Sequence, residues 1–297
     1  MARCPVCKTE CNYNESCPRC GFDEIEKTFV NRDEAELWEK QVLIPYAEAY
    51  NISLIGGTQG VNLDVNGALT SCGISRRNKR IILPYGTNHI GESCFWGSYQ
   101  TKMSEIHIPN TVKSIGERAF AFCHLKSIFI PDSVITLEPE AFVNSYSLEY
   151  VRLPLYIDKI PRSLFNSCVK LKEIHIPNAV STIEEYAFFN CQQIDSVNIS
   201  TTVIEIKDFA FASCGFLGAC KFIIIPESVV NMGSEIFDYS NFDVFCEVKE
   251  RPVGWDKYWN LGHRGVVYWG NEWHYENGIP VPNERKTKEN DLKLIYD

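Results

Sequence analysis

Apolar residues recur along this chain at a nearly fixed interval. Alignment on a column of prolines, with a serine in one unit, gives successive units of 22 to 26 residues. The column consists of Pro84, Pro109, Pro131, Pro154, Pro177, Ser200 and Pro226. A phenylalanine column follows eleven residues later in every unit: Phe95, Phe120, Phe142, Phe165, Phe188, Phe211 and Phe237. Because so short a unit cannot bury its own apolar face, the pattern predicts stacked coils around one continuous core.

Each unit also contains a strand-like segment before its proline, with the pattern L-x-x-I-x-I. This segment and a period of 20 to 29 residues indicate a leucine-rich-repeat solenoid. The wording I-P-x-x-V-x-x-I-G-x-x-A-F-x-x-C resembles the BspA-type leucine-rich repeats of bacteria, and residues 106–130 (IHIPNTVKSIGERAFAFCHLKSIFI) match it almost position by position. The resemblance implies a mainly β solenoid of about seven coils, and it is specific for the scaffold rather than for a function.

The segments outside the repeat predict a domain order. Residues 31–50 have apolar side chains at helical spacing up to Pro45 and predict a linking helix. Asn66 and Gly67 precede Ala68–Cys72, which predicts a turn into an edge strand. We therefore expect a small zinc ribbon (1–24), a linker helix with an N-terminal cap (25–77), the solenoid (78–246), a C-terminal cap (247–282) and a mobile tail (283–297).

Two C-x-x-C pairs stand at the N-terminus. They consist of Cys4 with Cys7 and Cys17 with Cys20. Two such pairs on either side of a short loop can present four thiolates to one Zn²⁺ in tetrahedral geometry. With all four positions filled by cysteine, no coordination site stays open, so the predicted zinc is structural rather than catalytic. The alternative of a redox dithiol fits less well, because such motifs normally stand singly at a helix start.

Four more cysteines share one repeat position, three residues after the phenylalanine. They are Cys123, Cys168, Cys191 and Cys214, and serines fill the same position in other coils. Interchange of cysteine and serine predicts a small, buried site. Thirteen cysteines are an odd number and cannot all pair within one chain, so a pure disulfide framework is excluded.

Charge and segment composition narrow the function. The formal net charge of −9 disfavours binding to nucleic acid. The sequence has neither a secretory signal pattern nor an apolar run long enough to span a membrane, which predicts a cytoplasmic protein with reduced thiols. It has no phosphate loop, no open metal site and no nucleophile–base–acid set, so we expect it not to be an enzyme.

The outward residues of the L-x-x-I-x-I strands are expected to form a binding surface for a protein. The candidates, on the concave side of the solenoid, are His107, Phe129, Tyr150, Arg152, His175, Asn198 and Phe222. Aromatic and arginine side chains are enriched in protein interfaces, although sheet faces favour aromatic residues in any case. We expect the two histidines to be solvated and without a catalytic role.

Alternatives remain open at this point. Many proteins with BspA-type repeats are displayed outside the cell, so a surface adhesin is one of them. A nucleic-acid adaptor acting through the zinc ribbon is another. The tryptophans between residues 255 and 273 are expected to cap the last coil, and exposed tryptophans there would instead stack on sugar rings.

Overall fold

The structure is a computed structural model, which describes residues 80–83, 87–97, 103–194, 196–215 and 222–284 and seven short strands before them. The four predicted zinc ligands, the predicted helix over residues 31–50 and residues 285–297 lie outside the described residues. The chain divides into two compact units. Unit 1 comprises residues 1–141 and 152–154, and unit 2 comprises residues 142–151 and 155–297.

All regular elements within the described residues are strands. In unit 1 they are β1 (Ala2–Arg3), β2 (Glu10–Cys11), β3 (Phe22–Asp23), β4 (Thr28–Phe29), β5 (Ser53–Leu54), β6 (Val61–Leu63), β7 (Ala68–Cys72), β8 (Arg80–Ile82), β9 (His89–Ile90), β10 (Glu105–His107), β11 (Ser114–Ile115), β12 (Ser127–Phe129) and β13 (Thr136–Leu137). Strand β14 (Tyr150–Arg152) crosses the division, because only its Arg152 belongs to unit 1. In unit 2 they are β15 (Lys159–Ile160), β16 (Glu173–His175), β17 (Thr182–Ile183), β18 (Ser196–Asn198), β19 (Glu205–Ile206), β20 (Phe222–Ile225), β21 (Asn231–Met232), β22 (Asp243–Cys246), β23 (Val267–Tyr268), β24 (Trp273–Glu276) and β25 (Ile279–Pro282). The mainly β solenoid of about seven coils is thereby confirmed.

Unit 1 contributes two parallel ladders from its repeats. We call the strands that end just before the proline column the wide strands; β8 and β10 are two of them, and β5 pairs beyond β8, which gives the order β10-β8-β5. The short strands that follow the proline column are β9, β11 and β13, and β7 and β6 extend their sheet, which gives the order β13-β11-β9-β7-β6. Strand β7 lies between β9 and β6 and pairs antiparallel with β6. The expectation that Ala68–Cys72 is an edge strand was therefore wrong, because residues 61–63 supply a further strand beyond it.

Unit 2 continues the same arrangement. Its wide strands pair in parallel, β14 with β16 and β16 with β18, and β20, β22 and β23 form a three-stranded sheet. Its short strands form the order β15-β17-β19-β21. The register joins equivalent repeat positions, such as His175 with Asn198. Each coil therefore stacks on the next with the same residue columns in line.

The phenylalanine column is the centre of the core in both units. Phe95 stacks on Phe120 in unit 1, with ring centroids 5.0 Å apart. In unit 2, Phe165 and Phe188 stack at 5.6 Å, and Phe188 and Phe211 at 5.1 Å. All seven phenylalanines are buried. Within each unit, this confirms the apolar core of stacked coils that the repeat period predicts.

A left-handed backbone occurs twice in every coil, two residues before and two residues after the core phenylalanine. In the coil of Phe165 these residues are Ser163 and Ser167, with φ of 52° and 60°. Their N–H groups, and that of Phe165, donate to carbonyls of the next coil at 2.8 to 2.9 Å. A left-handed non-glycine residue costs about 1–2 kcal/mol. The hydrogen bonds between coils, worth roughly 0.5–1.5 kcal/mol each, offset this strain.

The cysteine column is buried and forms hydrogen bonds between coils. In unit 2, the thiol of Cys191 donates to Phe165 O at 3.3 Å, and that of Cys214 donates to Phe188 O at 3.0 Å. Ser240, at the same repeat position, donates to Phe211 O at 2.6 Å. The position thus requires a small side chain with one donor, which explains why cysteine and serine alternate. Burial raises the pKa of the Cys168 thiol well above its usual value, so this thiol stays protonated.

Tryptophans cover the end of the core in unit 2. Trp259 packs edge-to-face on Phe237, the last phenylalanine of the column, with centroids 6.0 Å apart. The indole N–H of Trp255 donates to Val229 O at 2.9 Å. Both side chains are buried, as is Trp273. Because their rings are covered by protein, these three tryptophans are not open for stacking on a sugar.

In the part of the chain that the structure describes, no helix has the length and apolarity needed to cross a bilayer.

Candidate functional site

The wide strands separate a buried side from an outward side, which we call the open face. Ile174 and Val197 point into the core, whereas their neighbours His175 and Asn198 are exposed. This alternation follows from the two-residue period of a strand. The structure places His107, Phe129 and Arg152 on the open face of unit 1, and Tyr150, His175, Asn198 and Phe222 on the open face of unit 2.

Two of the predicted residues of unit 1 meet directly. The guanidinium carbon of Arg152 lies 4.8 Å from the centroid of the Phe129 ring. The same guanidinium forms a bidentate ion pair with Asp132, with Nη2 2.7 Å from Oδ2, and donates to Ile130 O at 3.0 Å. These contacts hold the guanidinium over the ring. The charge of Arg152 is therefore balanced by Asp132.

His107 differs from the expectation of a solvated histidine. It is partly buried on β10, and burial lowers its pKa to about 4. Desolvation disfavours the charged imidazolium, which explains the direction of the shift. The expectation was wrong here because the alternation of a strand fixes which way a side chain points but does not fix how deeply its neighbours cover it. His175 in unit 2 is exposed, as expected.

In unit 2, Tyr150 is the most prominent aromatic side chain of the open face. It is 50% exposed. The ammonium of Lys172 lies 5.2 Å from its ring centroid and donates to Glu149 at 2.8 Å. The hydrogen bond to Glu149 is the main cause that raises the pKa of Lys172. As in unit 1, an aromatic ring is combined with a cation whose charge a carboxylate balances.

Burial of the open face increases toward the C-terminal end of unit 2. His175 and Asn198 are exposed, Ile224 at the next equivalent position is half-buried, and Phe245 after it is only 3% exposed. The cause is aromatic packing over Phe245, by the stacked ring of Tyr268 at 4.9 Å and the edge of Trp273 at 5.4 Å. The open face of unit 2 is therefore covered by the protein itself at its last coils.

The hairpin of β24 and β25 carries this covering tryptophan. Its two-residue turn, Asn277 and Gly278, has positive φ at both positions, 52° and 79°. An Asn-Gly pair between strand-like segments is the usual signal for such a hairpin, so the sequence was sufficient to predict this turn. The packing of the hairpin on the open face was not predictable from the sequence and is seen only in the structure.

The predicted zinc ligands lie outside the described residues, but the strands beside them are described. Strands β1 and β2 pair antiparallel, with Arg3 opposite Glu10. Cys4 and Cys7 lie between these two strands in sequence. Among the described residues, no group of three or more histidine, cysteine, aspartate or glutamate side chains is arranged to hold a metal.

Comparisons with known proteins agree with this geometry. The family described as the BspA type leucine rich repeat region matches in six copies, over residues 88–218 and 200–245. A leucine-rich repeat protein from Bacteroides ovatus is 27% identical with a TM-score of 0.55, over 67% of this chain and 59% of its own. The T. pallidum leucine-rich repeat protein is 26% identical with a TM-score of 0.52, over 61% of this chain and 84% of its own.

Two further results limit what these comparisons say about function. The chain spans 59% of the length of the Bacteroides ovatus protein, so that protein has residues with no counterpart here. A search of curated proteins found no match. The comparisons thus describe a scaffold, and a function has to be inferred from the side chains on its open face.

Proposed function

We propose, from the premise that this chain belongs to the BspA-type leucine-rich repeat family, that it is a non-catalytic module that binds a protein partner on its open face. The observation that carries the proposal is the row of outward side chains on successive strands of unit 2. Tyr150, His175 and Asn198 are exposed there, while the alternate residues of the same strands are buried or half-buried. Because the sheet is already formed, binding orders these side chains but not the backbone that carries them.

The chemistry of the face supports a protein rather than an anion as the ligand. Its two aromatic–cation pairs, Phe129 with Arg152 and Tyr150 with Lys172, are each balanced by a carboxylate. Aromatic rings of this kind provide contact area in protein interfaces, and the balanced charges provide orientation. A nucleic-acid ligand would instead require unbalanced positive charge, which the net charge of −9 also disfavours.

The proposal is tested by comparing two variants of the full chain. The first replaces Tyr150, His175 and Asn198 by alanine, and the control replaces Tyr156 and Lys170, which are exposed in unit 2 outside the wide strands. A partner isolated from the native host with the unchanged protein is titrated against both by calorimetry. We expect the triple variant to bind at least about tenfold more weakly, because interface aromatics often contribute more than 1.4 kcal/mol. Equal affinity of the triple variant and the control would refute the proposal.

We further propose that Cys4, Cys7, Cys17 and Cys20 hold one structural Zn²⁺. The spacing and the all-thiolate donor set suit zinc, and the antiparallel pairing of β1 and β2, which flank Cys4 and Cys7 in sequence, supports it. When bound, the ion would supply folding free energy to this segment rather than chemistry.

We also propose that the protein works in a reducing compartment, the cytoplasm. The support is a set of six buried cysteines: Cys94, Cys123, Cys168, Cys191, Cys214 and Cys246. Four of these thiols act as hydrogen-bond donors to phenylalanine carbonyls in the preceding coil. A packing role that needs the S–H group is compatible with compartments in which thiols stay reduced.

A further inference from the structure

We infer that Phe222 and Ile224 form a docking site for one large apolar side chain of the partner, without a polar tip; the inference rests on the proposed function. These two residues, which we call the apolar shoulder, are the outward side chains of β20. Both are half-buried and pack against the cluster of Phe245, Tyr268 and Trp273. The shoulder thus lies where the open face changes from covered to exposed.

The chain itself shows how this part of the face binds a side chain. Trp273, from the C-terminal hairpin, packs in a T-shaped arrangement with Phe245, the outward residue of the neighbouring strand β22. Its indole N–H donates to Cys246 O at 3.0 Å. The covered surface is thus an existing docking contact for an aromatic residue, and the apolar shoulder continues it by one strand. Continuity with this contact is what identifies the occupant as an apolar side chain.

The hydrogen bonding of the strands distinguishes the shoulder from the contact that Trp273 makes. The carbonyl on β20 that corresponds to Cys246 O is Ile225 O, and it already accepts the N–H of Glu247 at 3.0 Å. An indole N–H placed on the shoulder would compete for that acceptor. A phenyl ring or a large aliphatic side chain has no donor to satisfy, and it buries apolar area on Phe222 and Ile224.

The surroundings limit the site to one anchoring side chain. On one side, Phe245 is covered by Trp273. On the other side, strand β18 presents Asn198, which is exposed and polar. A partner that runs over Tyr150, His175 and Asn198 would therefore make polar and aromatic contacts first, and it would end in one apolar anchor at the shoulder.

The test uses the full chain and a small probe, N-acetylphenylalaninamide, with N-acetylalaninamide as the matched probe without the ring. Methyl NMR of isoleucine-labelled protein locates binding, and saturation-transfer NMR gives affinities. We expect the phenyl probe to shift the Ile224 methyl signal in a saturable manner and the alanine probe to leave it unchanged. Ile224→Thr, which keeps the branched shape, should weaken binding at least fivefold.

The matched control is Ile204→Thr, the same substitution at an exposed residue that precedes β19, outside the wide strands. It should leave the affinity unchanged. The inference is overturned if the phenyl probe causes no saturable shift of Ile224, or if both threonine variants bind it equally. Failure of the proposed function looks different, because the probe would then still bind while the Tyr150, His175 and Asn198 variant kept its full affinity for the protein partner.

Discussion

Replacement of Phe188 by alanine is expected to lower the free energy of unfolding by about 3–5 kcal/mol. Phe188 is fully buried, and its ring is stacked between Phe165 and Phe211 at centroid distances of 5.6 and 5.1 Å. Removal of the ring leaves a cavity that its neighbours cannot fill, because each is fixed by its own coil. Urea denaturation followed by circular dichroism measures the change.

The matched control is Tyr156→Ala, which removes an aromatic ring that is 66% exposed in the same unit. Its expected cost is below about 0.5 kcal/mol, as for most surface substitutions. Equal effects of the two substitutions would contradict a core centred on the phenylalanine column. Since coils contact mainly their neighbours, Phe188→Ala is also expected to broaden the transition by uncoupling part of unit 2.

The second large effect concerns zinc. The purified protein is expected to contain one Zn²⁺ per chain, and a variant with serine at Cys4 and Cys7 is expected to contain none. Structural zinc sites contribute about 10–16 kcal/mol of binding free energy, so residues near β1 and β2 should lose their protection from hydrogen exchange when the metal is removed. Plasma mass spectrometry gives the metal content, and exchange followed by mass spectrometry gives the protection.

Cys11→Ser is the control, because Cys11 lies on β2 outside the two C-x-x-C pairs. The Cys11→Ser variant should keep its bound zinc and the protection of β1 and β2 from hydrogen exchange. A protein without bound zinc after purification in zinc-containing buffer, or a Cys4 and Cys7 variant that retains it, would contradict the proposal. The zinc measurement does not depend on the open face, so the proposed metal site and the proposed binding surface are tested separately.

The sequence predicted those parts of the fold that depend on repetition. Positions such as those of Phe165 and Ile183 are apolar and buried in every coil, so one sequence contains several copies of the same signal. The two-residue period of a strand also predicted which residues of the wide strands face outward.

Contacts between different columns were not predictable in this way. The ion pair of Arg152 with Asp132 joins the strand of one coil to the turn after the preceding strand, and only this pair of coils has both residues. Left-handed backbone at Ser163 and Tyr186 has no glycine to mark it. The packing of Trp273 on Phe245 depends on how the chain leaves the last coil, which no repeat specifies.

The measurement that tests the central claim most directly is site-specific photo-crosslinking in the native host. A benzophenone amino acid replaces Tyr150, on the open face, or Tyr156, which is exposed outside the wide strands. We expect a covalent adduct with one defined protein from position 150 and little or none from position 156. An adduct formed equally from both positions, or from position 156 alone, would contradict the claim that this protein binds its partner on the open face.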